Sequence, residues 1–387
     1  MTNAANKFLL TSLSSALLFA SYSAHSEEDT SGYDKVWSVA NLYENKESSG
    51  LQKLALSGRL HIDAAHFEAD EGNAPGETDE FEDANFRRLR FGFKGQFADD
   101  FSFNVEADLD INNDADDTYK RLTDAYISWN VNDNVTIKAL KQSVGFTLDG
   151  ATSSKKLYTL QRNNLTNNLW FTDEYFTGIS VSGKVNSQWS YKAGVFSSND
   201  DQEIAVDDAN TFVLTHLKYN FGETSFADKL SVSLDYVHKD TDDGADNSKD
   251  GAPNHENVVS LNSTMKKGKF GLSAEYAFGQ GYNGQSDLWG IVIMPHFDFT
   301  TKFQGVLRYT YMESDDSNGI KLGRYEKEIG SGKGDEYKEM YGGLNYYFYG
   351  QKLKVQAGVQ YTEMDDSVDA TGRYEGWGFT TGLKMYW

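Results

Sequence analysis

The chain reads as an all-β protein, a 16-stranded antiparallel transmembrane β-barrel with a long inward-folded constriction loop. Three observations predict it. Apolar and polar residues alternate with period two in one segment after another. The connections between these segments alternate short and long. The final segment keeps its alternation up to an aromatic terminal residue, Trp387.

The N-terminus has the pattern of a secretory signal. Lys7 supplies the positive start, Phe8 to Ala20 the short apolar run, and Ala24-His25-Ser26 a small-x-small cleavage site. Residues 1–26 are therefore expected to be a cleaved signal peptide, and 27–52 a periplasmic N-terminal extension. In that extension Val36, Val39 and Leu42, with Trp37 and Tyr43, suggest a short amphipathic helix that is either a weak oligomer contact or a mobile tail. Residues 53–387 are expected to form the barrel domain.

From Leu54 onward the period is two. Leu54, Leu56, Leu60, Ile62 and Ala64 share one face of the first segment, and Ser57, Arg59, His61 and Asp63 the other. In the third, Phe101, Phe103, Val105, Ala107 and Leu109 oppose Asn104, Glu106 and Asp108. Near the end, Leu353, Val355, Ala357, Val359 and Tyr361 alternate with Lys354, Gln356, Gly358 and Gln360. A tilted strand of about ten residues crosses a bilayer, and only alternate side chains need face lipid. A mean hydropathy of −0.59 is thus compatible with a membrane barrel.

Sixteen such segments lie near 53–66, 86–97, 101–112, 119–131, 134–142, 175–186, 188–198, 210–221, 229–239, 257–267, 269–279, 286–298, 302–313, 337–349, 351–364 and 373–387. Turns such as Asn132-Asp133, Asn186-Ser187 and Lys267-Gly268 are very short, whereas 67–85, 145–174, 199–209, 240–256 and 314–336 are long. Short periplasmic turns, long external loops and both termini inside describe an outer-membrane barrel. A soluble sandwich has no reason to sort its loops by end. Phe101, Trp129, Trp189, Trp289, Phe303, Tyr311 and Tyr361, near segment ends, would form the interfacial girdles. Acidic runs such as Glu77 to Glu80 and Asp240 to Asp250 are solvated charge, or bridge divalent cations at the lipopolysaccharide layer.

The connection Gly145 to Glu174 stands apart. It is about thirty residues long, lacks period-two alternation, and carries Lys155, Lys156 and Arg162 where the other long loops are mostly acidic. It either folds into the barrel and narrows it or forms a surface excursion with a short helix. On the strands, Leu89, Phe91 and Phe93 facing lipid put Arg88, Arg90 and Lys94 in the lumen beside Arg59, with Glu106, Asp108, Asp110 and Asp124 on the next strands. Arg87 follows the lipid-facing phase and is expected near a strand end. These charges either tune ion passage or pair and hydrate the interior.

The run Phe86-Arg87-Arg88-Leu89-Arg90-Phe91-Gly92-Phe93-Lys94-Gly95 resembles the phosphate-selective porin O and P family, as do Gly58-Arg59-Leu60 with Asp63, Asp124-Ala125-Tyr126-Ile127, Lys141, Gly145, Thr152-Ser153-Ser154-Lys155 and Arg162. The resemblance implies a trimeric outer-membrane channel with an inward loop and an arginine-lined path for anions such as phosphate. It assigns anion handling to Arg59, Arg88, Arg90, Lys94 and Lys141, with Lys155 and Arg162 on the loop. Glu106, Asp108 and Asp124 would be the acidic partners at the constriction. By parity, Lys141 shares a face with Ile137 and Ala139.

Other function classes find little in the residues. A net charge of −22 argues against a nucleic-acid partner. There is no cysteine, so no thiolate site or disulfide exists. No G-x-S-x-G or H-E-x-x-H occurs, and no cofactor motif is found. The expected partners are outer-membrane lipid and lipopolysaccharide, small anions, and two further copies of the chain. The competing expectation is a structural or adhesive barrel that binds through its loops.

Overall fold

The computed structural model describes residues 30–70, 79–112, 118–170, 174–241, 248–368 and 371–387. The signal expected at 1–26 lies outside them, as do parts of the acidic runs within 71–78 and 242–247. A short helix, α1 (Thr30–Ser38), and a four-residue strand, Asn41–Glu44, precede the barrel. In α1 the Tyr33 and Trp37 rings are 6.2 Å apart.

Sixteen long strands follow: β1 (Leu51–Ala69), β2 (Glu80–Phe97), β3 (Phe101–Leu109), β4 (Tyr119–Asn132), β5 (Val135–Ser143), β6 (Tyr175–Lys184), β7 (Trp189–Ser197), β8 (Thr211–Gly222), β9 (Lys229–Lys239), β10 (His255–Lys267), β11 (Phe270–Gly281), β12 (Leu288–Asp298), β13 (Phe303–Ser314), β14 (Glu336–Tyr349), β15 (Leu353–Asp365) and β16 (Tyr374–Tyr386). Each expected segment is present, with ends moved by a few residues except at β2, which begins at Glu80 rather than near 86. The first strand starts at Leu51, slightly before the boundary expected at 53. Every strand pairs antiparallel with its sequence neighbours, and β16 pairs with β1 from Gly376↔Ala69 to Tyr386↔Arg59. The sheet is therefore closed and has no edge. In lipid this is the one way a sheet can satisfy all its backbone N–H and C=O groups.

Side chains sort by parity. On β1, Ala55, Ser57, Arg59, His61, Asp63, Ala65 and Phe67 are buried on the inner face. Phe91, Phe93, Val105, Ile127, Ile179, Val195, Leu217, Leu234, Leu261, Ile293, Leu307 and Val359 stand exposed on the outside, where acyl chains would cover them. Aromatic pairs ring the barrel near both ends. Phe101 stacks on Trp129 at 6.1 Å at the short-turn end, and Tyr361 meets Trp377 at 4.9 Å at the other. Pro295, which has no N–H to give, sits where the β12–β13 ladder skips two residues.

Two irregularities change what faces inward. In the β1–β2 ladder His61 pairs with Arg88 and Ile62 with Phe86, so Arg87 is an extra residue bulging from β2. Arg87 is thus in mid-strand and turned inward beside Arg88, which corrects its expected place near a strand end. In the β3–β4 ladder Val105 pairs with Ala125 but Ala107 with Leu122. Without that slip Arg121 would share the outer phase of Ala125, Ile127 and Trp129; with it, Arg121 pairs with Asp108 on the inner side. An arginine held against hydrocarbon at the midplane costs about 2–4 kcal/mol, which the two bulges avoid.

The seam between the first and last strands is sealed by the final residue. Trp387 donates its N–H to the Gly58 carbonyl at 3.3 Å. Its ring lies so close that a Cβ on residue 58 would stand 2.4 Å from it. Gly58 therefore has to lack a side chain.

Leu234 sits at the middle of β9 on the exposed outer face. Leu234→Arg should cost about 2–4 kcal/mol, and His238→Arg, near the strand end, less than about 1 kcal/mol. Denaturant unfolding from lipid vesicles reads both.

Candidate functional site

The segment 144–170, between β5 and β6, lies against the inner faces of strands on the far side of the ring. Lys354 and Lys384 donate to the carbonyls of Leu157 and Leu160 at 2.7 and 2.8 Å. Gln356 donates to the Tyr158 carbonyl at 2.9 Å. Arg308, paired with Glu339 at 2.7 Å, donates to the Thr159 hydroxyl and the Gln161 carbonyl at 3.0 and 3.1 Å. Glu275 of β11 accepts the Leu148 N–H at 2.9 Å. These bonds span β11 to β16, so the segment crosses the interior. A loop has backbone groups that no ladder pairs, and here the inner side chains pair them.

Local chemistry shapes the crossing. Helix α2 (Asn164–Leu169) begins where the Asn163 side chain accepts the Thr166 N–H at 2.8 Å, an N-cap. Asp149 fixes that cap by accepting from the Asn163 backbone and side chain at 2.8 and 2.9 Å. Leu165, Leu169 and Trp170 pack with Phe176, Phe196 and Phe212 into a buried apolar cluster. A second inward segment meets the first. Lys321 donates its N–H to Asn168 at 2.7 Å, and its carbonyl accepts from Asn164 and Asn168 at 2.8 and 3.0 Å. This segment, 315–335, contains the small hairpin Ile320–Lys321 with Lys333–Gly334 and buries Tyr325 and Ile329. Nothing in the sequence reading pointed to it.

A cavity of roughly 540 Å³ opens on the long-loop side of the crossing segment. Nine basic residues line it, among them Arg87, Arg88, Arg90, Arg121, Arg162 and Arg324, against the four carboxylates of Asp83, Asp108, Asp110 and Glu174. Of the residues expected in the pore, the structure gathers Arg88, Arg90, Arg162 and Asp108 here. Arg90 is ion-paired with Asp108 at 3.3 Å and bonds the Tyr175 hydroxyl. Arg162 pairs with Glu174 at 3.4 Å and donates to the Asp149 carbonyl at 3.0 Å. Burial opposes ionisation of Glu174, but Arg162, Arg90 and Arg88 hold its carboxyl down at about 2. Arg121, Arg324, Lys120, Lys321 and Lys327 are cations the sequence reading did not single out, and Arg87 is one it had placed near a strand end. An arginine in the lipid phase of an otherwise regular strand was the available signal for Arg87 and Arg121.

The other expected residues lie elsewhere. Arg59 is buried next door, bound to Glu106 at 2.9 Å and to the Ser154 hydroxyl at 2.9 Å. Asp124 accepts from Asn104 at 3.3 Å. Lys94 is exposed on the inner face toward the short-turn end. Lys155 stands 5.1 Å from the Tyr386 ring centre, and burial, then the nearby Arg59, lowers its ammonium to about 8. Lys141 joins none of these. Its ammonium donates to the carbonyls of Asp201 and Glu203 at 2.6 and 2.7 Å, on the β7–β8 connection.

A second cavity of roughly 540 Å³ lies on the short-turn side of the crossing segment. Lys156, Lys218, Lys229 and Lys266 line it, with Asp149 as the lone carboxylate.

A closed barrel, apolar outside, charged and hollow inside, and crossed by its own loop, is a porin, a passive diffusion channel of the outer membrane. The chain belongs to the phosphate-selective porin O and P family, whose profile matches residues 54–387. Solved structures agree on the fold. The chain is similar to an anion-selective porin from Comamonas acidovorans, at 13% identity and a TM-score of 0.60 over 86% of this chain and 99% of that one. It is also similar to the channel DcaP of Acinetobacter baumannii, at 13% identity and a TM-score of 0.57 over 89% and 100%. OmpF of Salmonella typhi gives 12% identity and a TM-score of 0.58 over 90% and 100%. Compared with curated protein sequences, the chain finds no match.

Because Lys155 loses its proton near 8, the anion-to-cation permeability ratio should fall as pH is raised from about 7 to about 9. Lys155→Met should lower the ratio at pH 7 and abolish that step in reversal-potential measurements.

Proposed function

We propose that this porin favours small anions, phosphate among them, over cations. One observation carries the reading. The chain has a net charge of −22, yet among the charged residues that line the cavities on both sides of the crossing loop cations outnumber carboxylates, nine to four and four to one. In a narrow passage with low-dielectric walls such charges dominate the local field and raise the local concentration of counter-ions. Arg88 and Arg90, with Arg87 and Arg121 brought in by the bulges, form the wall of the outer cavity. Arg162 sits on the loop opposite them. Glu106 and Asp108 hold Arg59 and Arg90 in place and moderate the positive field. Lys94 and Lys155 lie further along the inner surface. Lys141, tied to backbone carbonyls, acts on the wall rather than on the solute.

The remaining parts of the reading rest on family membership and on the sequence. The chain is exported through a cleaved signal peptide, sits among lipid and lipopolysaccharide, and assembles as a homotrimer. It acts as a channel and not as an enzyme.

The test is the reversal potential of purified protein in a planar bilayer under a salt gradient. An anion sign is expected, and a cation sign overturns the proposal while leaving a porin. Arg88→Ala should reduce the anion-to-cation permeability ratio severalfold. It should leave the unfolding midpoint unchanged, because the Arg88 side chain has no ion pair or hydrogen bond among the described residues and its removal strands no partner.

A further inference from the structure

The outer cavity holds two unmet hydrogen-bonding demands of opposite kind. Arg88 is 92% buried and lines the cavity, and its side chain has no ion pair or hydrogen bond among the described residues. Beside it Arg87, raised on its bulge, has a buried Nε without a partner among the described residues. These are donors waiting for an acceptor, and a guanidinium fork suits a phosphate or carboxylate. Asn164, on the loop wall of the same cavity, is also buried, and its side-chain oxygen has no donor among the described residues. Its amide nitrogen is committed to the Lys321 carbonyl at 2.8 Å, so rotating the amide would break that bond. An unmet buried acceptor needs an O–H or N–H from whatever enters.

Size and lining narrow the class. A cavity of roughly 540 Å³ matches the sites of whole organic ligands, about 300–1,000 Å³, whereas inorganic phosphate has five heavy atoms. Only Phe86, Leu109 and Leu322 give it apolar side chains, too few to bury a hydrocarbon body. Gln161 and Asn167 continue the amide wall next to Asn164, and Asp83 and Asp110 add acceptors on the strand side. A body with several hydroxyls meets such a wall group by group.

We propose that the outer cavity is a binding site for hydroxylated organic anions, of the sugar-phosphate or sugar-acid class, held by Arg87 and Arg88 at the anionic group and by Asn164 at a hydroxyl. This rests on the anion preference proposed above and adds a solute class to it. Bare phosphate meets the arginines alone. A neutral sugar meets the amides alone. A sugar phosphate meets both, and the added hydrogen bonds lower its dissociation constant.

Single-channel current interruption tests this with three probes at matched ionic strength: glucose 6-phosphate, inorganic phosphate and glucose. Half-blocking by glucose 6-phosphate is expected at a concentration roughly tenfold below that for phosphate, with glucose weaker than either. Arg88→Ala should weaken block by both anions, and Asn164→Ala should weaken block by glucose 6-phosphate more than by phosphate. Equal block by the two anions would overturn the inference, since the site would then be reading charge alone. That comparison uses the unmodified protein and so is independent of how the variants fold. The salt-gradient reversal potential, measured on the same channels, separates the two readings. An anion sign with equal block sinks only the sugar-phosphate class, whereas a cation sign sinks the preference on which it rests.

Discussion

The closure of the hydrogen-bonded ring is the constraint on which the rest depends. Each of the sixteen strands has a partner on both sides, and the last pairs with the first. Outside a membrane an open edge would be tolerable, because water can pair its amides. In hydrocarbon an unpaired N–H or C=O costs several kcal/mol. Once the ring is closed, parity decides the environment of every side chain. The outer face must be apolar, and the charges must stand inside, where they have water and one another. The ion pairs of Arg59 with Glu106, Arg90 with Asp108 and Arg308 with Glu339 are all on the inner face.

Inside, the cations divide between two tasks according to which wall they occupy. On β13, β15 and β16, Arg308, Lys354 and Lys384 donate to carbonyls or hydroxyls of the crossing loop. They hold a segment that has no ladder of its own. Charge-assisted bonds of this kind contribute about 1.5–3 kcal/mol each, which is ample to keep the loop across the interior. On β2 and β4 Arg87, Arg88, Arg90 and Arg121 instead line the outer cavity. The same residue types therefore build the obstruction on one side and line the passage on the other. This asymmetry gives the interior a direction across its width as well as along its length.

Much of the fold was legible because a barrel writes itself in period two. The sixteen strands, the sorting of long and short connections, and the inward phase of Arg59, Arg88, Arg90, Glu106 and Asp108 can all be read off the alternation. Where the structure departs, a single inserted residue is the cause. A bulge shifts parity by one, so alternation counted back from Phe93 or from Trp129 places Arg87 or Arg121 against lipid, and only the ladder shows the slip. Lys141 was read through a motif rather than through its surroundings, and a distant loop supplies the carbonyls that bind it. The second inward segment, 315–335, was opaque for a related reason. Its hold on the first depends on amide-to-backbone bonds at Asn164 and Asn168, and such pairings across about 150 residues leave no local pattern.

The placement of Trp387 on Gly58 bears on the order in which the molecule can be made. The glycine lies in the first strand of the barrel, and the indole that covers it directly follows the sixteenth. The first strand must therefore keep one flank open until the sixteenth is laid against it, although its other flank is already paired with β2. Anything that shields that flank in the meantime, whether a chaperone or the insertion machinery itself, has to let go as the sixteenth strand and the tryptophan after it arrive.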